Sequence, residues 1–174
     1  ALGVGFAPDG YAETPAAQEG LAKLARYFDE NEAPSLHHRA MLLWASTRVN
    51  GLMTDAERRE CVDDMLALQH EDGGWGLATL GNWEREDGSP QDLASSDGYG
   101  TGFVVFIARQ AGIPADDARL ARGVDWLRTH QRESGRWFTR SLHADSKHYL
   151  THAGTSYAVL ALEACGALGD SSPE

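Results

Sequence analysis

Gln69-His70-Glu71-Asp72-Gly73-Gly74-Trp75 returns 62 residues later as Gln131-Arg132-Glu133-Ser134-Gly135-Arg136-Trp137. Both stretches follow the pattern Q-x-E-x-G-x-W. Repetition at a fixed period sets architecture before any single element does, because each unit buries its apolar face on the next. Ahead of each corner lies a pair of helical segments, and Gly51 and Gly112 both stop the first helix of their pair. A third copy begins further on: Gly100-Thr101 through Gly112 aligns without gaps with Gly154-Thr155 through Gly166. Each unit therefore reads as inner helix, turn, outer helix and Gln/Trp corner. The units cover about 35–75 and 99–137, with an incomplete third over 153–174, in a single domain of 1–174.

Working outward, Thr14-Pro15 is a helix start, with a hydroxyl cap and a proline where a missing N–H costs nothing. Leu21, Leu24, Ala25 and Phe28 recur at helical spacing and predict a helix over about 15–30. Ser35 caps the next, which Asn50-Gly51 ends. Thr54 to Glu57 fits a capping box for a third, running to about Gln69. A long Gly-, Asp- and Ser-rich connection follows from Gly73 to Gly98. Connections of that length are unusual inside a compact domain. The run Phe103-Val104-Val105-Phe106-Ile107-Ala108 predicts a buried inner helix over about 100–111. Two more helices are expected over about 116–130 and 154–168. No stretch alternates as a strand does, so the fold class is all-α.

The 174 residues carry a formal net charge of −11. Phosphate neutralisation needs clustered Lys and Arg, so this balance argues against a nucleic-acid partner and against anionic lipid surfaces. No uncharged apolar run approaches the roughly 18 residues of a membrane span, which points to a soluble chain. Cys61 and Cys165 stand far apart without a CxxC pattern and read as small buried apolar residues. The chain starts at Ala1 and not Met, as expected of a processed product or a piece of something longer, so its compartment is left open.

The stretch Arg122 to Trp137 resembles the QW motif of squalene-hopene and oxidosqualene cyclases, and Gln69–Trp75 is a second match. Gly73-Gly74-Trp75-Gly76 is also similar to the loops of protein prenyltransferase β-subunits, and the whole resembles bacterial squalene-cyclase-like repeat proteins. The resemblance covers about 35–168. It implies an α/α toroid of helical hairpins in which inner helices line a cavity and outer helices wrap them. With six helices where a full toroid has about twice as many, the chain reads as a half-toroid or fragment, or as one that self-associates to complete the ring. For Gln69, Trp75, Gln131 and Trp137 the expected role is architectural: an amide for free backbone groups at a helix end, and an indole covering the next unit.

The cyclases' acidic D-x-D-D and D-C-T-A-E motifs do not occur in this sequence, and Asp63-Asp64 falls on an outer helix. The prenyltransferase side of the resemblance implies zinc. Asp97-Gly98-Tyr99 then places Tyr99 where the family's Cys belongs, and His152 falls loosely in the family's His segment. In the repeat alignment His37, Gly98 and His152 are equivalent, with His38 and Tyr99 one position later and Asp97 one earlier. These residues are expected to gather at one mouth of the ring, where helix N-termini favour anions. His148-x-x-x-His152 has an i,i+4 spacing that binds a metal when helical, and Asp97, His148 and His152 are the candidate ligands. Arg136, Phe138, Arg140 and Lys147 form a basic stretch expected either to pair with acidic neighbours such as Glu133 or Asp145 or to meet a diphosphate or carboxylated ligand. Trp44, Phe103 and Tyr157 are the aromatic candidates for a cavity wall or for core packing. Function divides between part of an isoprenoid-handling cyclase, taking an apolar ligand, and a non-catalytic repeat module for a peptide, glycan or protein partner.

Overall fold

The computed structural model describes residues 1–168, and no strand occurs among them. Seven helices follow in order: α1 (Leu2–Gly5), α2 (Pro15–Glu30), α3 (Leu36–Ser46), α4 (Asp55–Ala67), α5 (Gly98–Gln110), α6 (Ala118–Thr129) and α7 (Tyr149–Ala164). Short 3-10 turns stand at Tyr11–Glu13 and Leu77–Leu80. The inner helices α3, α5 and α7 lie side by side, α4 backs α3, and α6 backs α5. The end of the third copy, beyond residue 168, lies outside the described residues.

Local chemistry sets most helix ends. Thr14, Ser35, Asp97 and Asp117 each accept a backbone N–H of the first turn they precede. Thr54 and Glu57 close a reciprocal capping box. Such caps are each worth about 1 kcal/mol. Gly112, with φ of 93°, is the left-handed stop that ends α5, whereas α3 ends earlier than its sequence suggests, at Ser46, and Gly51 (φ 83°) stands in the turn beyond it. Two further elements differ from the sequence expectation. Helix α7 begins about one turn earlier, so Gly154 lies inside it, where a Cβ would come within 2.9 Å of Tyr99 N. Helix α1 has no periodic signature: two of its four residues are glycine, and Gly5 lies against Arg48 and Val49 at the end of α3.

The two corners are built alike. Trp75 donates its indole N–H to the Met65 carbonyl (2.9 Å), and Trp137 to the Leu127 carbonyl (2.7 Å). Both rings are buried. The Trp75 backbone N–H donates to Thr101 Oγ1 (3.0 Å) and the Trp137 N–H to Thr155 Oγ1 (3.3 Å), so each corner hangs on the equivalent threonine of the next inner helix. Gln69 Nε2 donates to its own corner at Gly73 O (2.8 Å) and to Arg119 O (2.7 Å) at the start of α6. Gln131 Nε2 donates to Gly135 O (3.0 Å).

The inner helices are spaced unequally. A Cβ on Gly102 would come within 2.5 Å of Ala158 N, so α5 and α7 meet nearly backbone to backbone. Between α3 and α5 stand rings instead: His37 stacks on Phe103 at 4.6 Å between centroids, and Trp44 meets Phe106 edge-on at 5.0 Å. Replacing Trp75 by alanine removes a fully buried ring and leaves the Met65 carbonyl with only the Leu68 N–H at 3.3 Å, and is expected to cost about 3–5 kcal/mol. Trp137→Phe keeps most of the area and loses the hydrogen bond, an expected cost of about 1 kcal/mol. Urea unfolding of the two variants checks both values and their order.

Candidate functional site

Asp97 is the N-cap of α5, and its carboxylate is heavily engaged. Oδ1 accepts from Gly100 N (2.8 Å) and from Thr139 Oγ1 (3.1 Å), and Oδ2 accepts from Leu77 N (2.7 Å). Burial pushes its carboxyl above the usual carboxylate range, against the pull of these donors. The same task recurs one unit on: Thr151 Oγ1 accepts from Thr139 N (3.3 Å), as Asp97 accepts from Leu77 N. Asp97 thus seats a loop on the start of an inner helix.

Tyr99 and His37 are brought together. His37 Nε2 lies 3.0 Å from Tyr99 Oη while the imidazole stacks on Phe103 and meets Trp83 edge-on at 5.9 Å. Burial, with a smaller contribution from His38, lowers the His37 pKa to about 4, so the ring is neutral at pH 7. Tyr157 closes the array from α7: its ring lies 5.2 Å from Phe103, and its hydroxyl reaches Met41 Sδ at 3.7 Å. Phe103 is fully buried, so the aromatic residues proposed from sequence as a cavity wall fill this face with their own rings. His38 turns away, with Nδ1 2.7 Å from Ser35 Oγ.

His148 and His152 are not part of this arrangement. His152 is exposed on α7, and exposed His148 stands at its N-cap, so the i,i+4 pair does not lie within the helix proper. Among the described residues no group of three or more His, Cys, Asp and Glu gathers as a metal site. Both Asp97 oxygens accept protein donors, and the two histidines are exposed. One member of the basic stretch pairs with an acidic neighbour as expected. Arg140 grips Asp145 through Nε and Nη2, both at 2.8 Å, and Arg132 lies over the Phe138 ring at 4.5 Å.

Two features carry no sequence signal of their own. Arg85, in the long connection, has a side chain only 2% exposed and donates to Ser89 Oγ, Ser141 O and Asp145 Oδ1, tying residues 85–89 to 141–145. The second is an open groove of about 630 Å³ between α1, the end of α2 and α3, with Leu2, Tyr27, Phe28, Met41 and Leu42 on its walls. Its lining is largely apolar. Tyr27 and Phe28 close a helix that reads as amphipathic, but only the packing of α2 shows that they border an opening.

Residues 35–146, more than half of the chain, match the squalene-hopene cyclase C-terminal domain family. A squalene–hopene cyclase of Zymomonas mobilis is 30% identical over 120 residues, which cover 66% of this chain and 16% of that enzyme. The chain thus spans a minor part of the length of the curated relative it matches. No helix of the described residues is long and apolar enough to cross a membrane.

The neutral His37 makes a signed prediction. Its folded pKa of about 4 lies below the ordinary value near 6.5, so between these values the unfolded chain binds more protons than the folded one. Its contribution is complete above about pH 6.5 and is lost as pH falls toward 4. Thermal melts at pH 7 and pH 5 should show a larger drop for the native chain than for His37→Gln; equal drops would count against a buried neutral imidazole.

Proposed function

The chain belongs to the squalene-hopene cyclase C-terminal domain family, and from that premise we propose that this segment holds an isoprenoid or comparably apolar molecule without itself supplying the acid that starts a cyclisation. The observation that carries the reading is the apolar groove. Its volume of about 630 Å³ falls within the roughly 300–1,000 Å³ of small-molecule sites. Met41 and Leu42, on the inner helix α3, face Tyr27 and Phe28 across it. A flexible hydrocarbon needs this kind of wall, because each methylene removed from water contributes about 0.8 kcal/mol and no polar contact is required.

Protonating an alkene calls for an acid whose proton is aimed at the substrate in a dry site. Asp97 is turned to the protein's own N–H and hydroxyl donors. Asp64 pairs on the surface with Arg39 at 2.8 Å. Neither presents a proton to the groove, and the carboxylate on its rim, Glu32, is exposed to water and so is not the dry acid a cyclisation calls for. In this reading the segment contributes wall and anchorage, and the strong acid of a cyclisation belongs elsewhere.

Displacement of the fluorescent apolar probe N-phenyl-1-naphthylamine by farnesol, and by squalene in mild detergent, tests the proposal. Saturable displacement is expected. Tyr27→Asp, at a position 57% exposed and therefore safe for folding, should weaken it about tenfold, as should Leu42→Asp. Gas chromatography after incubation with squalene should show no cyclised hydrocarbon. Absence of displacement would move the segment to the other reading, a repeat module for a peptide, glycan or protein, and a cyclised product would overturn the division of labour.

A further inference from the structure

The outer helices α4 and α6 match position for position at a spacing of 62 residues. Met65 O and Leu127 O receive the two indoles, and Val62 and Val124 are both buried. One position breaks the match. Where α6 carries Leu120, fully buried, α4 carries Arg58. An arginine in the place of a core leucine brings a positive charge into the seam between α3, α4 and α5, where the first unit meets the second.

The protein meets the needs of that charge only in part. Arg58 Nη2 donates to Ser46 O (2.8 Å), which fixes the guanidinium, but Nε is buried without a hydrogen-bond partner. Among the described residues Nη1 has no partner either, and neither Arg58 nor the adjacent Arg59 enters an ion pair. A cation drawn out of water without a counter-ion is expensive to keep. Beside it lies an open pocket of about 220 Å³, lined by Arg58 and Arg59 together with the apolar side chains of Leu43, Val62, Ala111 and Ile113.

The lining selects the ligand. Since one water takes up about 30 Å³ of liquid, the space suits a molecule of about seven or eight heavy atoms. A phosphate would have to shed its water against four apolar side chains and gain nothing from them. A short hydrocarbon with one carboxylate places its charge at the arginines and its chain on the apolar wall. Asp63 also borders the pocket, but it is exposed, so water screens its repulsion more than the attraction to half-buried Arg58. We propose that the α3–α4–α5 seam is a binding site for a short-chain fatty acid, with Arg58 and Arg59 as the receptors of its carboxylate. The site shares no lining residue with the apolar groove beside α2 and stands apart from the function proposed for that groove.

Titration of the whole chain with sodium hexanoate, followed through the arginine Nε–H signals in proton–nitrogen correlation spectra, tests this. A saturable shift of the Arg58 signal is expected, while hexanol and sodium chloride at matched concentrations leave it in place and inorganic phosphate moves it without saturating. Arg59→Gln should weaken hexanoate binding about tenfold, and Asp63→Asn should strengthen it. Hexanoate should also raise the melting temperature of the native chain by mass action. That rise should vanish in Arg58→Leu, which installs the residue found in α6 and should itself fold at least as stably. Arg59 and Asp63 are exposed, so their variants decide the question even where Arg58→Leu fails to fold. No saturable shift, an equal shift with chloride (ionic strength alone), an equal shift with hexanol (an apolar pocket without an anion receptor), or phosphate binding as tight as hexanoate would each overturn the proposal. None of these outcomes depends on whether the groove beside α2 binds farnesol.

Discussion

Each corner tryptophan does two jobs with one residue, and the stacking of the units rests on that coincidence. The indole N–H takes the carbonyl ten residues earlier, near the end of its own outer helix, while the backbone N–H of the same residue takes a threonine hydroxyl on the next inner helix. A helix end leaves carbonyls without intrahelical partners, and buried ones must be satisfied. The corner meets that need and in doing so fixes the distance between one unit and the next. The glycines at the threonine level follow from it: a Cβ on Gly100 would come within 2.5 Å of the Trp75 carbonyl oxygen, so the inner helix has to present bare backbone there.

The same economy explains the mouth of the array. Asp97 and Thr151 stand at equivalent positions and both receive the N–H of the residue two beyond a corner tryptophan. The carboxylate does more than the hydroxyl, since it also caps α5 and holds Thr139, whose own N–H is taken by Thr151. Two successive loops are therefore cross-linked through one residue. This accounts for a carboxylate tolerated at a desolvation cost, and it leaves that carboxylate without a free face toward a substrate.

Much of this was legible in the sequence because it is local. The Thr54–Glu57 box, the left-handed Gly51 and Gly112, and the Gln-to-Trp spacing each involve groups within a few residues of one another, and they fixed the helical class and the order of the units. What escaped depends on distant partners. Asp97, Tyr99, His148 and His152 were grouped by residue type and by equivalent position, but the coordinates send Asp97 to Leu77 and Thr139, Tyr99 to His37, and both other histidines to the surface. Arg85 reads as a charged loop residue, yet it is buried because Ser141 and Asp145 come to it from more than fifty residues away. The apolar groove arises from how α2 leans on α3, which no periodicity encodes.

The unequal seams between inner helices bear on mechanics. Where α5 meets α7 the contact runs through Gly102 and Ala158, atom against main chain, with no torsion to relax. Where α3 meets α5 the contact runs through rings, His37 on Phe103 and Trp44 on Phe106, which hold the two backbones further apart. Were the arc to bend, this wider seam is the joint that would resist least, with α5 to α7 on one side of it and α1 to α4 on the other. The apolar groove lies wholly on the α1 to α4 side, so bending at that joint would carry it as a unit.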